Sequence, residues 1–337
     1  MILVTGGTGL VGTHLLMDLL RYKKPIRAIY RSKESLEKAR RIFSLYNIDW
    51  EKSLDHIDWV QSDLLNPEVL IETFQGVEYV YHCAAMVSFN KKDKNAMFKV
   101  NIEGTANVVN LSLETGIKKL CHVSSTATIG KSNNNELRNE NCIWENDGTF
   151  SNYSISKYFA ENEVWRASEE GLNVVIVNPS IIIGPGDWTQ SSANLFLKVW
   201  RGLKYYSKGI NAFVDVRDVS KAMVELMNSS IKSERFLVIG ENLSFQELFN
   251  DIATSLGRSL PSVEVKSWMV NFIWRLEALR SFLFGSDPLV TKESAKSALS
   301  KVRYSNDKIK DQLGLKTIPI KNSIEHTGKM FLQDYSN

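Results

Sequence analysis

The opening stretch MILVTGGTGLVG (Met1–Gly12) carries glycines at two overlapping spacings, Gly6-x-x-Gly9-x-x-Gly12 and Gly7-x-Gly9-x-x-Gly12. Glycines so spaced act through the backbone. One allows a tight turn, one admits a pyrophosphate, and one lets a helix close on a strand. The N–H groups and positive end of the helix that follows then hold phosphate. Here the turn follows a short apolar strand (Ile2 to Thr5) and opens a helical pattern (Thr13 to Arg21), so it reads as a dinucleotide site rather than a tight connection alone. Gly6, Thr8, Gly9, Leu10, Val11 and Gly12 are its candidate cofactor contacts.

A second set of reactive types lies downstream. Tyr153 and Lys157 stand at i and i+4 in a helical pattern from Asn152 to Glu170, hence on one face. The pair alone decides nothing, because Tyr304 and Lys308 repeat it. Context decides. Tyr153 begins a helix 28 residues after Ser124-Ser125, which end an apolar strand (Lys119 to Val123), whereas Tyr304/Lys308 lies in a lysine-rich C-terminal segment.

These groups must be positioned by alternating strands and helices. Pro25 to Tyr30 reads as a second strand, and Arg31 follows it with no Asp or Glu between Ile26 and Lys33. An acidic residue about 20 positions beyond the loop would bind the 2′-hydroxyl of NAD, whereas a cation suits the 2′-phosphate of NADP. Arg31 therefore favours NADP(H) over NAD(H), with Lys38 placed to add charge. Ile57 to Gln61 is a third strand closed by Ser62-Asp63-Leu64; Asp63 either accepts the adenine amino group or caps the helix starting near Pro67. Val77 to Ala85 is a fourth strand whose small end, Ala84-Ala85, lets a cofactor lie close; His82 within it reads as a satisfied core histidine. Asn101 to Thr105 opens a helix to Thr115, and Asn101 either supports the site or caps that helix. Val174 to Val177 is a sixth strand, ended by Asn178-Pro179 and followed by Ile181–Ile183 and Gly184-Pro185-Gly186. Pro179 and Ile182 belong to a loop that can meet a nicotinamide amide.

The expected fold is α/β: a doubly wound Rossmann sheet over 1–180, to which a strand and helix at 212–228 return. A smaller, mainly substrate-binding lobe covers 181–337. A formal charge of +3 is too slight to argue for nucleic acid. Cys83, Cys121 and Cys142 show no metal spacing and read as reduced thiols of a cytoplasmic protein. The glycine strand begins at residue 2, leaving no room for a signal peptide, and no apolar run reaches the length of a membrane span.

In TGGTGLVG (5–12), HCAA (82–85), NIEGT (101–105), HVSSTATIG (122–130), YSISK (153–157), NPSIIIGPGD (178–187) and FVDVRDVSKAM (213–223), the chain resembles the extended short-chain dehydrogenase/reductase family. YRS after the second strand and SDPLVTKESAKSA (286–298) are most similar to its dihydroflavonol-reductase and 3β-hydroxysteroid-dehydrogenase-like branch. The resemblance implies that Tyr153 donates a proton to a carbonyl oxygen as hydride arrives from the nicotinamide, or removes it in reverse. It gives Lys157 the ribose hydroxyls and the field that lowers the phenol's pKa, and Ser125 the substrate oxygen. Lowering a phenol by about three units takes roughly 4 kcal/mol of differential stabilisation. The family's dehydratases carry an Asp-Glu pair where Thr126-Ala127 stand, which argues against dehydration, and Ile129 replaces its usual aromatic. Family members pair through helices such as 101–115 and 152–170, implying a homodimer.

The C-terminal stretch Trp268 to Gly285 is the most apolar helical pattern, interrupted by Arg275, Glu277 and Arg280. It reads as lobe core, as a lid over a bulky apolar substrate, or as a membrane-surface or subunit contact. The expected function is NADP(H)-dependent reduction of a ketone or oxidation of a secondary alcohol. The alternatives are a nucleotide-sugar epimerase with tightly held NAD and a non-catalytic NADP-sensing or scaffold protein.

Overall fold

The computed structural model describes residues 1–46, 49–132, 137–145, 147–266, 269 and 298–335. Its centre is a parallel sheet made of β1 (Ile2–Thr5), β2 (Ile26–Tyr30), β3 (Ile57–Gln61), β4 (Tyr79–His82), β5 (Lys119–Val123), β6 (Val174–Pro179) and β10 (Glu234–Val238). Their order is β10-β6-β5-β4-β1-β2-β3, with every neighbouring pair parallel. These strands are short Val/Ile/Leu-rich runs, as expected of a sheet buried on both faces. Alternation sorts their side chains: Ile2 and Val4 enter one core layer with Leu15, Leu16 and Met223, while Leu3 enters the other with Val80, Val108 and Val164. The first layer lies under α1 (Leu10–Leu20), α9 (Val216–Asn228) and α11 (Asp307–Leu313). The second lies under α4 (Pro67–Thr73), α6 (Gly104–Glu114) and α7 (Asn152–Glu169).

A smaller lobe is built on a three-stranded sheet of β7 (Ile181–Ile183), β9 (Ile210–Asp215) and β11 (Glu241–Ser244). Strand β9 runs parallel to β7 and antiparallel to β11. Helices α8 (Asn194–Trp200), α10 (Phe245–Ser255) and α12 (Ile320–Tyr335) cover it, burying Trp188, Phe196, Phe213, Ile252 and Phe331.

The strand around 212–216 thus joins the smaller sheet and not the main one; only α9 returns, packing against α1. The seventh main strand is β10, beyond the stretch expected to supply it. The helix expected to open at Asn101 begins earlier, as α5 (Lys94–Phe98), and passes through one π turn (Lys99–Glu103) before α6. Apart from Met269 and Ala298, the apolar stretch 268–285 and the segment 286–298 lie outside the described residues. Among the described residues no helix is long and apolar enough to cross a membrane.

Candidate active site

Strand β1 has β2 on one side and β4 on the other, so the chain leaves the sheet in opposite directions there and a crevice opens at the carboxyl edge. The glycine turn lines it. Gly6 has φ +66°, and a Cβ there would stand 2.6 Å from the Ala84 backbone nitrogen. The turn and the end of β4 therefore touch only because Gly6 has no side chain. At Gly12 a Cβ would run into the Gly6 carbonyl, so the same absence lets α1 close on the turn. A Cβ on Gly9 would meet nothing closer than 3.4 Å, which leaves its face open to a ligand. Gly9 also caps α1 without a side chain, so no side chain occupies the first N–H groups of the helix. Thr13 Oγ1 donates to the Gly7 carbonyl at 3.1 Å and fixes the turn from behind. Thr8 and Val11 are half-buried beside it, and Leu10 packs against Gly184 and Gly186 of the loop after β7. An open glycine face before an uncapped helix start fits a pyrophosphate.

Arg31 sits exposed just past β2 on the same edge, and among the described residues no acid pairs with its guanidinium. Lys38 does not join it: its ammonium pairs with Asp187 at 2.6 Å, tying α2 (Lys33–Leu45) to the smaller lobe. Asp63 is exposed and accepts from the Leu65 N–H at 2.9 Å. It does not cap the next helix, whose cap position is Asn66. Leu64 is buried against Gly104, with its carbonyl held by Asn107 Nδ2 at 2.8 Å. Ala84 and Ala85 follow β4 at the crevice, Ala85 exposed; Pro179 ends β6 and Ile182 pairs with Val214.

Strand β5 and helix α7 bring the reactive groups together. The Tyr153 phenol lies beside the Ser125 hydroxyl, close enough for that hydroxyl to favour its ionised form. Ser125 Oγ accepts from the Ala127 N–H at 3.1 Å, which leaves its own proton free to donate. Burial pushes the Tyr153 phenol above its usual value, and the neighbouring Ser125 hydroxyl works against that. Lys157, 2% exposed, donates from Nζ to the Val123 carbonyl at 2.8 Å. Burial brings its ammonium down to about 8, against the opposing pull of Glu161 and Cys83. Phe89 sets its ring edge-on to Tyr153 with centroids 5.8 Å apart. Asn101, 1% exposed in the π turn, bonds Met86 N, Met86 O and Ser156 Oγ at 2.7, 3.0 and 3.0 Å. It clasps the loop after β4 to α7.

His82 is a core histidine: Thr5 and Thr105 hydroxyls meet its two nitrogens at 2.7 and 2.9 Å, and burial lowers it to about 3. Its ring stacks on that of His122, centroids 5.1 Å apart. Tyr304 is buried in one apolar cluster with Ile129, its backbone paired with Asn242, while Lys308 pairs with Glu234; that second Tyr/Lys pair is structural. Sequence reasoning passed over Glu161, 2% exposed, whose carboxylate accepts from Ser124, Thr128, Asn178, Trp165 and Arg235. The signal was there: Glu161 continues the Tyr153, Lys157 spacing by another four residues, placing a carboxylate on the inward face.

Comparison with known proteins agrees with this geometry. Residues 2–240 match the NAD dependent epimerase/dehydratase family. A Synechocystis chain provisionally named dihydroflavonol 4-reductase is 31% identical over 329 residues, covering 95% of this chain and 91% of its own. Sterol demethylase protein B of Methylococcus capsulatus is 27% identical, covering 93% and 92%. The crystal structure of a Thermotoga maritima UDP-glucose 4-epimerase superposes with a TM-score of 0.77 over 99% of each chain, at 20% identity. The chain belongs to the NAD dependent epimerase/dehydratase family, the extended short-chain dehydrogenases/reductases.

Proposed function

We propose that this protein is an NADP(H)-dependent oxidoreductase that reduces a ketone, or oxidises the corresponding secondary alcohol, on a bulky apolar substrate. The observation that carries the reading is the convergence of Ser125, at the end of β5, with Tyr153 and the buried Lys157 of α7, whose Nζ is anchored on the Val123 carbonyl of that strand. When bound, the nicotinamide supplies or accepts the hydride. The chain's own residues handle the oxygen: Ser125 donates to it where charge develops, and Tyr153 gives or takes its proton. Lys157 adds a positive charge beside the phenol, which burial alone would leave too weak an acid. Arg31, exposed and without an acidic partner among the described residues, supports NADP over NAD. Val87 and Phe89, 48% and 41% exposed, give the loop beside Tyr153 an apolar wall and support an apolar substrate. Residues 1–180 with α9 and β10 would hold the cofactor, and the smaller lobe the substrate.

A Tyr153→Phe variant tests the reading. Turnover of an aryl or alicyclic ketone with NADPH should fall by about 10²- to 10⁴-fold, the usual worth of a positioned proton donor, while NADPH binding, followed by fluorescence, stays within a few-fold. Unchanged turnover would remove Tyr153 from the mechanism. The likeness to an epimerase supports a second reading, in which the same Tyr and Lys serve a reaction with no net redox. Mass analysis of the purified protein separates the two: retained NAD speaks for epimerisation, exchangeable NADPH for the reductase.

A further inference from the structure

We propose that Glu161 is a positioning residue of the catalytic centre, one whose buried carboxylate ties the Ser125 turn to the helix carrying Tyr153 and Lys157 and keeps a negative charge one helical turn from the lysine. The inference rests on the catalytic reading of Tyr153 and Lys157 above.

The geometry is that of a hub. Oε2 accepts from Ser124 Oγ at 2.5 Å, Thr128 Oγ1 at 2.8 Å and Asn178 Nδ2 at 2.8 Å. Ser124 and Thr128 bracket Ser125 on either side, and Thr128 Oγ1 and Asn178 Nδ2 also reach the Ser125 carbonyl, at 2.9 and 3.3 Å. Both ends of the serine turn are thereby referred to one carboxylate on α7. Oε1 takes Trp165 Nε1 from the same helix and Arg235 Nη1 from β10, each at 3.2 Å. Five donor groups converge on one carboxylate, the single Thr128 hydroxyl proton being shared with the Ser125 carbonyl. A buried carboxylate is costly unless so compensated, and a hydrophobic residue of similar volume would fill the space without that cost.

The charge has a target. Groups facing Lys157 among the described residues are Glu161 on α7, Cys83 and His82 at the end of β4, and His122 on β5, with Tyr153 one helical turn before it in the chain. The two histidines are neutral because burial lowers them, and Glu161 is the carboxylate among these groups that pulls the lysine's value up. It offsets part of the burial that draws the lysine's proton off, and Arg235 moderates it from the far oxygen. Glu161 therefore keeps the ammonium charged beside the phenol.

The test follows the phenol directly. The protein is labelled at tyrosine Cζ, saturated with NADP+ or NAD+, and titrated by NMR, the Tyr153 signal being assigned by its loss in Tyr153→Phe. Glu161→Gln should raise the Tyr153 midpoint by about one pH unit, the scale of a lost neighbouring charge. Arg235→Gln should move it the opposite way, because the carboxylate then acts on Lys157 unshared. A midpoint unmoved in both variants, even with lowered thermal stability, makes Glu161 a structural residue only and overturns the proposal. Should Glu161→Gln fail to fold, the direction of the Arg235→Gln shift decides alone. A wild-type midpoint at the free-phenol value near 10 would instead overturn the catalytic reading on which this one stands.

Discussion

Arg31 shows how much one side chain is asked to decide. It stands exposed at the edge where the glycine turn opens, and no acid among the described residues neutralises it. A 2′-phosphate would supply the missing partner through charge-assisted bonds, each worth roughly 1.5–3 kcal/mol. Arg31→Ala should therefore weaken NADPH by about ten- to a hundredfold at low salt and leave NADH nearly unchanged, as read by fluorescence titration. Equal weakening of both cofactors would assign Arg31 to the adenine or to the loop's structure. This residue was legible because it lies at a strand end, where spacing alone sets its place. Lys38 has the same charge and a similar position in sequence, yet its ammonium goes to Asp187, about 150 residues away in the chain. Local spacing places a side chain on an edge or a face; a partner so distant is set by tertiary packing.

At the scale of elements the same division holds. Strands with near-continuous apolar runs, such as Ile2–Thr5 and Val174–Pro179, and the glycine turn between β1 and α1 were legible, because each is fixed by its own residues. The move of β9 into a second sheet and the arrival of β10 beside β6 were not, since sheet membership depends on which neighbour offers an edge. Asn101 was legible only as ambiguous between cap and support. It turns out to clasp two elements, the loop carrying Phe89 and the helix carrying Tyr153, through three bonds. Asn101→Ala leaves the Met86 N–H and carbonyl without those partners inside the protein, so stability should fall by about 1–3 kcal/mol. If the clasp also sets the distance between Phe89 and Tyr153, kcat should drop by roughly ten- to a hundredfold with little change in cofactor affinity. A variant with a lower melting temperature but full kcat would confine Asn101 to holding the fold.

For the molecule as a whole, buried titratable groups set how stability responds to pH. Burial lowers His14 to about 4 and His82 to about 3, and holds His122 well below its ordinary value. Their folded-state values lie below the unfolded 6.5, so their contribution is present above pH 6.5 and is lost as pH falls, because the unfolded chain takes up protons that the folded chain refuses. Each such histidine contributes a slope of up to about 1.4 kcal/mol per pH unit below 6.5. Asp218 works in the other direction. It is 3% exposed, and burial raises it to about 6 against the bond it accepts from the Ile318 N–H. Its folded value lies above its unfolded one, so its contribution is complete below about pH 4 and is lost as pH rises through 6. Three imidazoles outweigh one carboxyl, and the melting temperature should fall by several degrees between pH 7 and pH 5, at about 2–4 °C per kcal/mol for a chain of this size class. Replacing the carboxyl isolates the sign. In Asp218→Asn the opposing contribution is gone, so the fall between pH 7 and pH 5 should be steeper than in the parent, whatever the variant's absolute stability. Differential scanning fluorimetry at matched ionic strength reads both slopes. A parent curve flat over that range would mean that the histidines are not held neutral in the core, and equal slopes in parent and variant would mean that Asp218 is ionised in the folded protein well below pH 6.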